Sequence, residues 1–91
     1  MGWQDLIPKT TISDETMEAL APVMLAQKRF NEGRYHEAEG YFHQALKNYP
    51  PKSAGRVLIY NKMGILYETI GDPRRALDSY DRSAQEGALT P

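Results

Sequence analysis

The sequence predicts an all-α fold, and three observations carry that expectation. Apolar residues recur at helical spacing in separate tracts, no run alternates with the period of two that a half-buried strand shows, and glycine and proline mark the ends of the tracts. Residues 1–12, with Pro8 and the polar cluster Lys9-Thr10-Thr11, read as an extended N-terminal segment. Ser13 or Asp14 is placed to cap the first tract, whose opening turn carries Asp14, Glu15 and Glu18 at the positive end of the helix dipole. Pro22 leaves two readings of this tract open. Either a short helix stops near Leu20 and another begins with Pro22 in its first turn, or one kinked helix runs from about Asp14 to Glu32. In both, Gly33 is the stop.

The second tract runs from Tyr35 to about Tyr49, where Ala38, Phe42, Ala45, Leu46 and Tyr49 make one stripe and His36, Glu37, Gln44 and Lys47 the opposite, polar face. Pro50-Pro51 ends it. Ser53 is placed to cap the third tract, which carries Val57, Leu58, Tyr60, Met63, Gly64, Ile65 and Tyr67 as far as Gly71. Asp72-Pro73, a cap followed by a first-turn proline, opens the last tract, with Ala76, Leu77, Tyr80 and Ala84 before Gly87. The helical domain is thus expected over 13–87, with 88–91 a tail.

Composition removes several classes of function. In 91 residues, 11 Lys and Arg stand against 12 Asp and Glu, so bulk charge provides no pull toward nucleic acid or anionic lipid. The absence of cysteine removes disulfides, thiolate metal sites and cysteine nucleophiles, and fits a cytoplasmic protein. No apolar stretch is long enough to cross a bilayer, and the opening residues lack a signal peptide's basic and apolar regions. In the segment 1–12, Trp3 beside Leu6 and Ile7 has two readings, a floppy tag remnant or an anchor that docks on the helices, and the second is favoured.

The stretch NEGRYHEAEGYFHQALKNYP, Asn31 to Pro50, returns in paler form as ETIGDPRRALDSYDRSAQEG, Glu68 to Gly87. Superposing Gly33 on Gly71, 38 residues apart, aligns Leu25 with Met63, Ala26 with Gly64, Ala38 with Ala76, Phe42 with Tyr80 and Leu46 with Ala84. A small residue at Ala26 or Gly64 lets a facing helix approach, and the aromatic at Phe42 or Tyr80 fills the gap beside it. With Leu25, Ala26, Gly33, Tyr35, Ala38, Phe42, Ala45 and Pro50 in one copy and Tyr60, Met63, Gly64, Tyr67, Gly71, Ala76 and Tyr80 in the other, the chain resembles the tetratricopeptide repeat family over roughly residues 19–87. That family's pattern is W-x2-L-G-x2-Y, then A-x3-F, then P, over about 34 residues. Departures are specific. Pro22 and Arg29 stand where aromatic residues belong, Ser83 replaces an alanine, the closing proline of the second copy is missing, and the extra residues around PPKSAGR are most simply taken up by lengthening the next helix about one turn.

The resemblance implies tandem antiparallel helix hairpins, a fragment of an α-solenoid, whose first helices line a concave groove for a protein or peptide partner. Carried over position by position, the groove residues are Val23, Gln27, Phe30 and Asn31 in the first repeat, and Leu58, Asn61, Lys62, Ile65, Glu68 and Thr69 in the second. Some relatives clamp a chaperone's C-terminal carboxylate with a lysine and two asparagines. Val23, Gln27 and Lys62 stand at those positions here, which disfavours that role. Two repeats leave an end face open, so part of Tyr60, Tyr67, Leu77 and Tyr80 is expected to face outward unless the N-terminal segment, a second copy in a homodimer, or further repeats cover it.

Catalytic and ligand chemistry finds little purchase. His36 and His43 lie two helical turns apart, about 10 Å along the axis, too far for one metal ion without other ligands. Glu37 with Glu39, and Asp78 with Asp81, read as solvated faces rather than acid–base pairs. Arg74, Arg75 and Arg82 are interleaved with Asp72, Asp78 and Asp81 and read as local ion pairs rather than a phosphate site. No phosphate-binding loop, nucleophile elbow or dinucleotide fingerprint is present. The expectation is a protein-binding adaptor, scaffold or assembly factor that is not an enzyme and uses no cofactor or metal. The alternatives are a homo-oligomerisation module and a regulatory fragment of a larger protein.

Overall fold

A computed structural model describes residues 21–88. Among the described residues there are four α-helices and no strand: α1 Pro22–Asn31, α2 Tyr35–Leu46, α3 Ala54–Thr69 and α4 Pro73–Ala88. The segment 1–12 with Trp3, the helix start at Ser13 or Asp14, and residues 89–91 lie outside the described residues.

The helix ends follow local chemistry. Ala21 is non-helical, at φ −147° and ψ 65°, and Pro22 opens α1, where its missing N–H removes no intrahelical bond. One helix running continuously through Pro22 is thereby excluded. α1 and α3 finish in the same way. Gly33 and Gly71 adopt φ of 79° and 80°, a left-handed conformation that glycine reaches without strain. At each, the glycine N–H donates to the carbonyl three residues back, Phe30 or Glu68, and the next N–H, of Arg34 or Asp72, donates to the carbonyl of Arg29 or Tyr67 at 2.8 Å. This is the Schellman geometry, written twice at the 38-residue offset. Ser53 caps α3 by accepting from the Arg56 N–H at 3.3 Å, and Asp72 caps α4 by accepting from the Arg75 N–H at 3.1 Å.

Two ends differ from expectation. α2 stops at Leu46, not Tyr49: the Tyr49 ring leaves the helix and lies over Gly55, where an added Cβ would fall 2.3 Å from it. α4 does not stop at Gly87 but continues to Ala88, with Gly87 beside the Val57 side chain. The connection from α2 to α3 is held by Arg56, whose guanidinium donates to the Tyr49 carbonyl at 3.1 Å, and by Glu86 at the far end of α4, which accepts from the Lys52 backbone N–H. Lys52 takes a left-handed φ of 64° to make that turn.

α1 packs along α2, α3 packs along α4, and α2 touches α3 across the pairs. The core comprises Leu25 and Ala26 from α1, Ala38, Phe42 and Ala45 from α2, Ile59, Met63, Leu66 and Tyr67 from α3, and Ala76 from α4. Gly64 is a point of close approach, since a Cβ there would meet the Tyr80 ring at 2.5 Å. The inner face of α4 departs from the predicted stripe. Leu77 and Ala84 are exposed, and Ser79 and Ser83 are buried beside Ala76. Ser83 tolerates burial because its hydroxyl donates to the Val57 carbonyl at 2.9 Å. Tyr67, expected partly outward, is buried, while Tyr60 and Tyr80 are half-buried.

Candidate functional site

α1 and α3 lie on either side of a trough whose floor is the Phe42 ring of α2. Gln27 and Phe30 from α1 and Lys62 and Ile65 from α3 meet there around a hollow of about 120 Å³. Helical spacing explains why these side chains converge: Gln27 and Phe30 are three apart on α1, Lys62 and Ile65 three apart on α3, so each pair shares a face. The Lys62 ammonium donates across the trough to the Gln27 Oε1 at 3.0 Å, and the Gln27 Nε2 donates onward to Asn31 Oδ1 at 2.9 Å. A polar ladder therefore crosses from α3 to α1 along one wall of an otherwise apolar hollow.

The other residues implied by the family resemblance fall into three groups. Leu58 lies one turn before Lys62, 53% exposed, and Ile65 one turn after it, 48% exposed, with Asn61 exposed between them. Val23 is half-buried and packs against the core. Glu68 and Thr69 are exposed but engaged. Glu68 accepts from the Tyr80 hydroxyl at 2.9 Å, and Thr69 donates its hydroxyl to the Ile65 carbonyl at 2.8 Å. Phe30 is half-buried and meets Tyr35 edge to face, with ring centroids 5.3 Å apart.

Two residues of this face were not singled out in the sequence. Phe42 was assigned to the core alone, yet also floors the hollow. Met24, 54% exposed, shares with Gln27 and Asn31 a shallow depression on α1. Its signal was present: Met24, Gln27 and Asn31 fall three and seven apart, a single helix stripe.

A larger, open depression of about 610 Å³ lies at the helix turns, between Arg34, His36, Glu39, Leu66, Ile70 and Arg75. Its charged groups are already committed to one another. Arg34 donates to Glu37 at 2.8 Å, and Arg75 pairs with Glu39 and with Asp72 at 3.5 and 3.4 Å. Arg75 also sits over the Tyr67 ring, 5.8 Å from its centroid. Burial, aided by a hydrogen bond to Glu39 and its negative charge, raises the Tyr67 hydroxyl to about 12. A phenol held neutral in this way is a structural strut and a poor nucleophile or base.

His36 and His43 are both exposed, and among the described residues no group of three His, Cys, Asp or Glu side chains is placed to hold a metal ion. The expected local ion pairing on α4 is present in Arg75 with Asp72 and in Arg82 with Asp78, the latter at 3.1 Å. Among the described residues no helix is long and apolar enough to cross a membrane. No family model, curated protein or solved structure matches the chain.

Proposed function

We propose that this chain is a protein-interaction module of the tetratricopeptide kind, built as tandem antiparallel helix hairpins, that binds a polypeptide in the α1–α3 trough and acts as an adaptor, scaffold or assembly factor in the cytoplasm. Neither catalysis nor a nucleic-acid or membrane partner belongs to this reading. The observation that carries it is the trough: a hollow between two helices, with exposed Leu58 and Ile65 beside it and hydrogen-bonding Asn61, Lys62 and Gln27 among them. A protein recognises a peptide through this mixture of a few apolar anchors and a few oriented polar groups. Further support comes from the doubled Schellman ends and from Gly64 seating Tyr80, features that the repeat pattern requires for structural reasons.

The test compares proteins captured by the natural chain with those captured by Asn61→Ala combined with Ile65→Asp, and by Leu77→Asp on α4. The trough reading expects partners lost by the first variant and kept by the second, with helicity by circular dichroism unchanged in both. Partners kept by the first variant and lost by the second would refute it.

Exposure of Leu77, at 63% the largest among the exposed large apolar residues, favours a second reading, self-association through the outer face of α4. Light scattering over a range of concentrations separates the two. A dimer that Leu77→Asp dissociates supports self-association, and a single-chain mass at all concentrations excludes it.

A further inference from the structure

Among the described residues Lys62 holds the one cationic group lining the hollow, and its acceptor is a neutral amide. Its Nζ donates to the Gln27 amide oxygen at 3.0 Å, and no carboxylate of the described residues lies within ion-pairing distance of it. The acidic groups at the end of α1 and on α3 are engaged elsewhere: Glu32 pairs with Arg29 at 2.8 Å, and Glu68 accepts from Tyr80 on the α4 side. A half-buried ammonium with only an amide for company gains from a carboxylate brought to it, because a charge-assisted bond is roughly twice as strong as a neutral one.

The apolar groups around Lys62 set the register of such a ligand. Leu58 and Ile65 are seven residues apart on α3, so their side chains repeat along the trough at about 10 Å, with Lys62 between them. A partner helix laid beside α3 repeats at the same interval. Apolar side chains two turns apart on it would meet Leu58 and Ile65, the second entering the hollow over Phe30 and Phe42. A residue three or four positions from each faces Lys62.

Building on the trough reading above, we infer that the partner is an amphipathic helix carrying two aliphatic residues seven apart and an acidic side chain between them, whose carboxylate pairs with Lys62. The pairing supplies register and selectivity. The hollow supplies the anchor.

The probe is a labelled, C-terminally amidated helical peptide of about 20 residues, long enough to hold helix, with leucine at two positions seven apart and glutamate four after the first. Amidation removes the terminal carboxylate, so binding reports the side chain. Fluorescence anisotropy should show binding that weakens about fivefold when the peptide glutamate becomes glutamine and further when it becomes lysine. In the Lys62→Glu variant the order should reverse, the lysine peptide binding more tightly than the glutamate peptide. High salt should compress both differences. Helicity of the variant, read by circular dichroism, should match the natural chain, since Lys62 is half-exposed.

Three outcomes overturn the inference and locate the failure. Peptides that bind with no preference among glutamate, glutamine and lysine, yet are lost with Ile65→Asp, leave the trough as the site and remove the acidic requirement. Peptides that bind with the expected preference yet ignore Ile65→Asp and Lys62→Glu bind elsewhere, and the trough reading fails with it. No binding of any peptide removes the acidic helix as the partner class, while the capture experiment still judges the trough.

Discussion

The two helix pairs use the same positions for different surroundings. In the first pair Phe42 is buried to 1% exposure, between Ala26 of its own pair and the neighbouring α3, with Phe30 close by. In the second pair the matching ring, Tyr80, is only half-buried. It rests on Gly64, and its hydroxyl donates to Glu68, the residue that stands where Phe30 stands in the first. Phenylalanine beside phenylalanine has become tyrosine beside glutamate. The first pair has α3 alongside to exclude water from Phe42; among the described residues no further helix follows α4 to cover Tyr80 in the same way. A ring that meets solvent on one side keeps its apolar body against the helix and turns a polar tip outward. Leu77, exposed on the same helix, is the residue that does not follow this rule.

The sharpest way to break the comparison is to truncate both rings. Phe42→Ala should cost about 3–5 kcal/mol in urea or thermal unfolding, the usual price for emptying a closed aromatic site. Tyr80→Ala should cost less than half of that, because solvent already reaches the ring. Equal losses would mean that the two positions are equally enclosed.

Gly64 sharpens the contrast further. Adding a methyl normally stabilises a helix interior, but here it meets the Tyr80 ring, so Gly64→Ala should destabilise by about 1–2 kcal/mol. In a Tyr80→Ala background the same change should stabilise by up to about 1 kcal/mol, the ordinary helix preference of alanine over glycine. A double-mutant cycle reads the reversal directly. Gly40, mid-helix in α2 with open space around it, is the internal control, and Gly40→Ala should stabilise in any background.

The tyrosines differ in their response to alkali. Burial raises both Tyr67 and Tyr80, with Glu39 and Glu68 adding to the effect, and Tyr67 reaches about 12 from 10.0. Between those two values the folded chain keeps a proton that the unfolded chain releases, so rising pH favours unfolding. The contribution is complete below pH 10 and is lost as pH climbs toward 12. Stability measured from pH 9 upward should fall less steeply in Tyr67→Phe. The smallest effect is expected from Tyr80→Phe, which removes one partly exposed hydrogen bond to Glu68 and should cost about 0.5–1 kcal/mol.

Much of this architecture is legible in the sequence because local chemistry decides it. Gly33 and Gly71 end helices through their own backbone freedom, Ser53 and Asp72 cap the next turns, and Pro22 and Pro73 open helices. What escaped depends on contacts far apart in the chain. Tyr49 is in phase with the α2 stripe, but its ring finds Gly55 and the helix ends early. Ser79 and Ser83 are outside the apolar stripe read on α4, and the burial of Ser83 is explained only by the Val57 carbonyl, 26 residues before it, which accepts from its hydroxyl. Arg29 stands where the repeat pattern has an aromatic residue, and it is 6% exposed and paired with Glu32. At the trough, Gln27, Phe30, Lys62 and Ile65 line one hollow with Phe42, while Val23 is half-buried against the core and Met24 beside it is exposed.

The trough itself is tested most directly by backbone amide chemical shifts, recorded on the isotopically labelled chain while a captured partner is titrated in. The account predicts perturbations centred on Gln27, Asn61, Lys62 and Ile65, spreading to Met24 and Leu58, with α4 residues around Leu77 unchanged. Perturbations centred on Leu77, Asp81 and Ala84, with α1 and the exposed face of α3 silent, would contradict it.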